Sequence, residues 1–148
     1  MSGVPAEGRR LILLSWWGTG IFATTAGAAT IDLDLFQLPA LVVALALFTV
    51  GMVTMLWAVA LAVERSRVDA IGVGGLFFGA GSTPTAVRAH LLGALAIQML
   101  VGIITASIRV FTTLAFGTLV PLFAIGITGL WCARWGTFEP TDPPSDGP

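Results

Sequence analysis

Apolar residues fill this chain in four long blocks, and polar residues collect between them. The blocks are Leu11–Thr30, Leu38–Val63, Val87–Ser107 and Thr113–Ala133. Each has the roughly 20 residues a helix needs to cross about 30 Å of hydrocarbon at 1.5 Å per residue. The pattern predicts an all-α integral membrane protein: a four-helix bundle made of two antiparallel transmembrane hairpins. Residues 1–135 form that domain, with spans at about 11–30, 38–63, 87–107 and 113–133. Residues 136–148 are rich in proline, glycine and acid, which predicts a disordered cytoplasmic tail.

Span three carries the clearest facial pattern. At 100° per residue, His90, Ala94, Gln98, Gly102, Thr105 and Arg109 fall within about 120° of arc. Leu92, Leu95, Met99, Leu100 and Ile103 occupy the other side and suit lipid. A polar side chain without a partner is costly in hydrocarbon, so the stripe His90, Gln98, Thr105 and Arg109 should turn into the bundle. Span one has a matching stripe of Ser15, Thr19, Ala23, Ala26 and Thr30 within about 80°. The pairs Ala23/Gly27 and Gly102/Ala106 are small residues four apart, a spacing that lets helix backbones approach closely. Ser15, Thr19, Ala23, Gly27, Gly102 and Ala106 are therefore the expected packing residues between spans one and three. Gly51–Trp57 in span two also resembles Gly126–Trp131 in span four with one residue skipped, as a parallel repeat of two hairpins would.

The connections differ in character. Asp32–Gln37 reads as a short acidic external loop, with Pro39 tolerated in the opening turn of span two. Arg109 is the one basic residue on that side, and an ion pair of Arg109 with Asp32 or Asp34 is expected to tie the hairpins together. Residues 64–86 predict a cytoplasmic loop whose glycine-rich stretch 71–81 is too short to span and either lies in the interface or re-enters the membrane. It is no phosphate loop: the Lys-Ser/Thr after the last glycine and the preceding strand are missing. Ser82-Thr83-Pro84-Thr85 reads as a helix start.

Composition sharpens the class. Charged residues make up 10% of the chain, against about 25% in an ordinary soluble domain. The net charge of −1 provides no basic footprint for nucleic acid. Arg9, Arg10, Arg65, Arg67, Arg88 and Arg134 all fall on one side of the threaded spans, which puts both termini in the cytoplasm. The same threading gathers Trp16, Trp17, Trp57, Trp131 and Trp135 in that half, as interfacial anchors; an aromatic pocket for a lipid or quinone is the sharper alternative. Arginine without lysine, beside abundant alanine and glycine, suggests a GC-rich genome and a bacterial cytoplasmic (inner) membrane. Arg9-Arg10, the apolar Leu11–Phe22 and the small Ala26–Ala29 resemble a signal peptide. The apolar stretch continues to Ile31, however, and favours a retained anchor.

Candidate chemistry is sparse. One cysteine, Cys132, and one histidine, His90, offer neither a converging ligand set nor a nucleophile beside a base. No catalytic, metal or cofactor residues are expected, and the chain reads as a non-enzyme. Its four-span size is similar to that of small multidrug transporters, but Leu11–Thr30 lacks their embedded glutamate. It is similar in size to four-helix thiol oxidoreductases too, and the single cysteine lacks their Cys-x-x-Cys pair. Small dual-topology fluoride channels do not share the strong arginine bias. The expectation is an accessory or scaffolding subunit that packs with itself, as a homo-oligomer, or with a larger membrane complex in the lipid bilayer. The alternative is a small oligomeric transporter or channel that uses the third-span stripe.

Overall fold

The computed structural model describes residues 6–140. These fold into α1 (Ala6–Ile31), α2 (Leu33–Arg65), the short α3 (Val73–Phe78), α4 (Thr85–Ile108), a 3₁₀ segment (Thr113–Leu119) and α5 (Pro121–Trp135). Among the described residues there is no strand, and a lone bridge joins Asp69 and Pro140. Four elements are long and apolar enough to cross a membrane: Ala6–Ile31, Leu33–Arg65, Thr85–Ile108 and Thr113–Trp135.

The helices close into a ring in the order α1, α2, α5, α4. Its tightest seam joins α2 to α5. A methyl group at Gly51 would lie 2.6 Å from Phe123 Cα, and one at Gly126 would fall on the Gly51 carbonyl oxygen and the Thr54 hydroxyl. The two glycines that begin the repeated Gly…Trp segments thus face one another, and their missing side chains let the backbones touch. Gly102, expected to seat span one, instead backs onto Gly117 of the 3₁₀ segment, whose oxygen would be 2.8 Å from an added methyl group. Gly27 faces open space. Close approach therefore runs between α2 and α5, and between α4 and the 3₁₀ segment. The interior beside it holds Ile12, Ala58, Leu91, Ile127, Trp131 and Cys132.

Several boundaries depart from the sequence pattern for local reasons. The acidic loop Asp32–Gln37 is absorbed into α2, because Asp32 caps that helix by accepting the Leu35 N–H at 3.1 Å. A single residue then joins α1 to α2, and Pro39 lies inside the helix. Span four is no continuous α-helix. Its first part is 3₁₀, and the α-helix restarts at Pro121, whose ring cannot donate an N–H but suits a first turn. The tight connection before it holds Phe111 at φ 61°, with its side chain fully exposed. At the start of α4, Pro84 occupies the N-cap position with no side-chain cap. The Ser82 hydroxyl donates to Gly75 O at 2.6 Å instead.

The long loop folds onto the arginine-rich end of the ring. Leu76 of α3 is buried, and Phe77 reaches Gly129, where an added methyl group would lie 2.9 Å from its ring. Gly129 is six residues from the end of α5, so α3 penetrates about 9 Å along it. Residues 136–140, expected as tail, are packed against this loop. Thr137 N donates to Ser82 O at 2.9 Å, and Ala70 N donates to Glu139 O at 2.8 Å. The remainder of the expected tail, 141–148, lies outside the described residues.

The glycine seam makes a direct prediction. Gly126→Ala should cost about 1–3 kcal/mol through overpacking, whereas Gly27→Ala should be neutral or stabilise by a few tenths through helix propensity. Thermal unfolding in detergent, followed by circular dichroism, checks both. Equal midpoints for the two variants would contradict the seam.

Candidate functional site

Among the described residues, one polar pair crosses the middle of the ring. The Gln98 Nε2 of α4 donates to the Thr19 hydroxyl of α1 at 2.7 Å, and that hydroxyl donates to Ser15 O at 2.8 Å. Thr19 can play both parts because a hydroxyl accepts and donates at once. Gln98 and Ser15 are fully enclosed, and Gln98 Oε1 and Ser15 Oγ have no hydrogen-bond partner among the described residues. Thr105 is buried one turn beyond Gly102 and turns its hydroxyl back onto Val101 O at 2.9 Å.

The ends of the expected stripe behave differently from its middle. Arg109 donates through Nε and Nη2 to Thr30 O, at 3.2 and 2.8 Å. It meets neither Asp32 nor Asp34: the aspartate at the junction is engaged as a helix cap, and the ion pair among the described residues is Arg65–Asp69. His90 stands outside the bundle, exposed, with its ring edge-on to Trp16 at 6.4 Å. The buried positions of α4 are Val87, Leu91, Ala94, Leu95, Gln98, Gly102 and Thr105. Their mean direction lies roughly 90° from His90, so at this end two apolar side chains take the inward places. Leu95, expected to face lipid, falls on the edge of that inward set. Ala23 and Ala106 are half-buried.

The tryptophans also divide. Trp16, Trp17 and Trp57 are exposed and share the arginine-rich end, where the Arg134 guanidinium lies 5.4 Å over the Trp57 ring. Trp131 is no surface anchor: it is 2% exposed, packed in the interior, and its indole N–H has no partner among the described residues. Trp135 is half-buried, 6.0 Å from the Trp131 ring. The reason is position along the helix. Four residues apart, the two rings share a face, but α5 is buried at every residue from Gly126 to Ala133, and Trp135 stands at its end.

Arg65 was not singled out by the pattern, yet it organises this end. Nη1 donates to Ala133 O at 2.8 Å, Nη2 to Gly136 O at 3.2 Å, and Nε and Nη2 both reach Asp69 Oδ2 at 3.2 and 2.8 Å. The Phe138 ring covers its face at 5.4 Å. Ala133 and Gly136 end α5, and Thr30 ends α1, so Arg65 and Arg109 do the same work at opposite ends. Each brings a cation to carbonyls that a helix C-terminus leaves unpaired, where the helix dipole favours positive charge. The legible signal was an arginine at a helix end with an aspartate four residues on; which carbonyls it meets is tertiary. Thr83 adds a lesser tie, its hydroxyl 3.3 Å from Cys132 Sγ.

Against protein-family models, curated proteins and solved structures, the chain finds no match. Chemically, the Gln98–Thr19–Ser15 chain holds amide, hydroxyl and carbonyl groups. It can hold two helices in register, and it contains no group that titrates near neutrality.

Thr19→Val should destabilise the protein by about 1–3 kcal/mol, since it strands the enclosed Gln98 amide. Thr19→Val combined with Gln98→Leu should cost less than the sum of the single changes, with a coupling of about 0.6–2 kcal/mol. A double-mutant cycle of unfolding free energies measures this. Strict additivity would mean the bond carries no stability.

Proposed function

We propose that the chain is a multi-pass protein of a cytoplasmic membrane, with the arginine-rich end and both termini in the cytoplasm. It acts there as an accessory or scaffolding subunit, packing with itself or with a larger membrane complex. The arginine distribution supports the orientation. Arg65, Arg67, Arg88 and Arg134 share one end of the described bundle and Arg109 the other, the asymmetry that sets topology in membranes.

The observation that carries the scaffolding reading is the exposure of α2. It is the longest and most apolar of the four candidate spans, yet 17% of its most apolar stretch is buried, against 56% for Thr113–Trp135. Val42, Leu45, Val53 and Leu56 stand out from it, and their spacings of three, eight and eleven residues keep them within about 80° of one helix face, as in a packing ridge. A second observation favours the alternative of an oligomeric transporter. Gln98 Oε1 and Ser15 Oγ are polar atoms sealed inside with no partner among the described residues, as residues on a solute path can be.

Two measurements separate these readings. Native mass spectrometry after mild detergent extraction should find the chain in a stoichiometric complex, with itself or with another membrane protein. Val53→Glu on the exposed ridge should dissolve that complex. A lone monomer in every mild detergent would refute the scaffold, and selective liposome flux abolished by Gln98→Leu would establish the transporter.

A further inference from the structure

The outward face of α4 carries a feature that neither the seam nor the α2 ridge uses. A groove of about 490 Å³ runs between α4 and the last span, lined by Leu95, Met99 and Ile103 on one wall and Thr118, Pro121 and Ile125 on the other, with Phe78 at its arginine-rich end. Its size falls within the 300–1,000 Å³ or so of ordinary ligand pockets. Its lining is apolar apart from Thr118, whose hydroxyl proton is already committed to Ala115 O at 2.7 Å.

A cation stands at one mouth. Arg88, Leu95, Met99 and Ile103 fall within about 80° of arc on α4, so the arginine is in line with the groove, about 10 Å below Leu95. Arg88 is exposed, and its Nε donates to Phe78 O at 3.1 Å, which ties the guanidinium to the residue that closes the groove. Both Nη groups are without a hydrogen bond or ion pair among the described residues. They form the half of a planar fork suited to two phosphate oxygens. Arg88 also lies in the opening turn of α4, where the helix dipole adds to the positive potential. A fixed cation at headgroup height above an apolar furrow is complementary to one kind of molecule.

We propose that this groove is a binding site for an anionic phospholipid of the cytoplasmic leaflet, with the phosphate on Arg88 and one acyl chain along Leu95, Met99 and Ile103. The inference rests on the membrane placement proposed above and is independent of the scaffolding reading. A zwitterionic lipid would offer the same phosphate with a cationic group beside Arg88, so the site should favour a headgroup of net negative charge.

The test is native mass spectrometry of the full chain released from vesicles of equal phosphatidylglycerol and phosphatidylcholine. Wild type should retain phosphatidylglycerol, and Arg88→Gln should lower its retention about tenfold, the scale of a lost charge-assisted bidentate contact. Arg88→Lys should keep part of it as a point charge. Arg67→Gln, which removes an exposed charge from the same end, should leave retention unchanged, and Met99→Trp should reduce it by filling the furrow. Equal retention of both lipids, an unaffected Arg88→Gln variant, or an equal loss in Arg67→Gln would overturn the site. So would self-crosslinking through Met99→Cys in a Cys132→Ser background, which would put a second copy in the groove. Failure of the membrane placement itself would look different: the protein would be released from membranes by alkaline carbonate.

Discussion

A helix surface made of leucine, valine and isoleucine offers nothing to a hydrogen-bonding group, and this constraint orders the molecule. Thr24, Thr25, Thr49, Thr54, Thr105, Ser107 and Thr128 all fold their hydroxyls onto carbonyls three or four residues back in their own helices. Each residue thereby satisfies itself and asks nothing of its neighbours. The amide of Gln98 is too long to do so. It has to find another helix, and it finds Thr19. The same logic governs the arginines: Arg65 and Arg109 reach helix C-termini because carbonyls there lack intrahelical donors.

Once polar groups are settled in this way, packing is left to shape, and small residues decide it. Gly51 and Gly126 bring α2 and α5 into backbone contact, and Gly102 with Gly117 does the same for α4 and the 3₁₀ segment. In the proposed membrane setting, such close contact between apolar helices would replace the hydrophobic driving force that assembles a soluble bundle. The ring order α1, α2, α5, α4 follows, with α1 joined to α4 by the Gln98 bond and to α5 by Phe123, which reaches Gly18. The arginine-rich end is then sealed by α3 and residues 136–140, pinned through Arg65.

Four apolar blocks of sufficient length made the four long elements legible, and the position of Gln98 within its stripe indicated an inward place. The limits of that reading have physical causes. Periodicity locates a polar face to within about a residue, and an error of that size turns His90 from an interior group to an exposed one beside Trp16. Spacing of small residues says that a helix can approach closely, and leaves open which partner it approaches; Gly27 and Gly102 illustrate both outcomes. Charge counting paired Arg109 with the aspartates, since counting is blind to a backbone that needs Asp32 as its cap. The 3₁₀ segment was hidden because hydropathy ignores backbone type, although Pro121 inside the block marked the point where the α-helix restarts. The phospholipid groove depends on how two helices diverge, and no single-helix pattern contains that.

The whole arrangement of the bundle depends on which side of α4 meets the surrounding medium. Nitroxides placed one at a time along residues 87–108, with the protein in a lipid bilayer, would measure this through their accessibility to oxygen and to a water-soluble relaxation agent. Oxygen accessibility should peak at Met99, Leu100, Ile103 and Ile104 and fall to minima at Ala94, Gln98, Gly102 and Thr105, with the water-soluble agent excluded from both sets. A flat profile, or ready access of the water-soluble agent to the apolar positions, would contradict it.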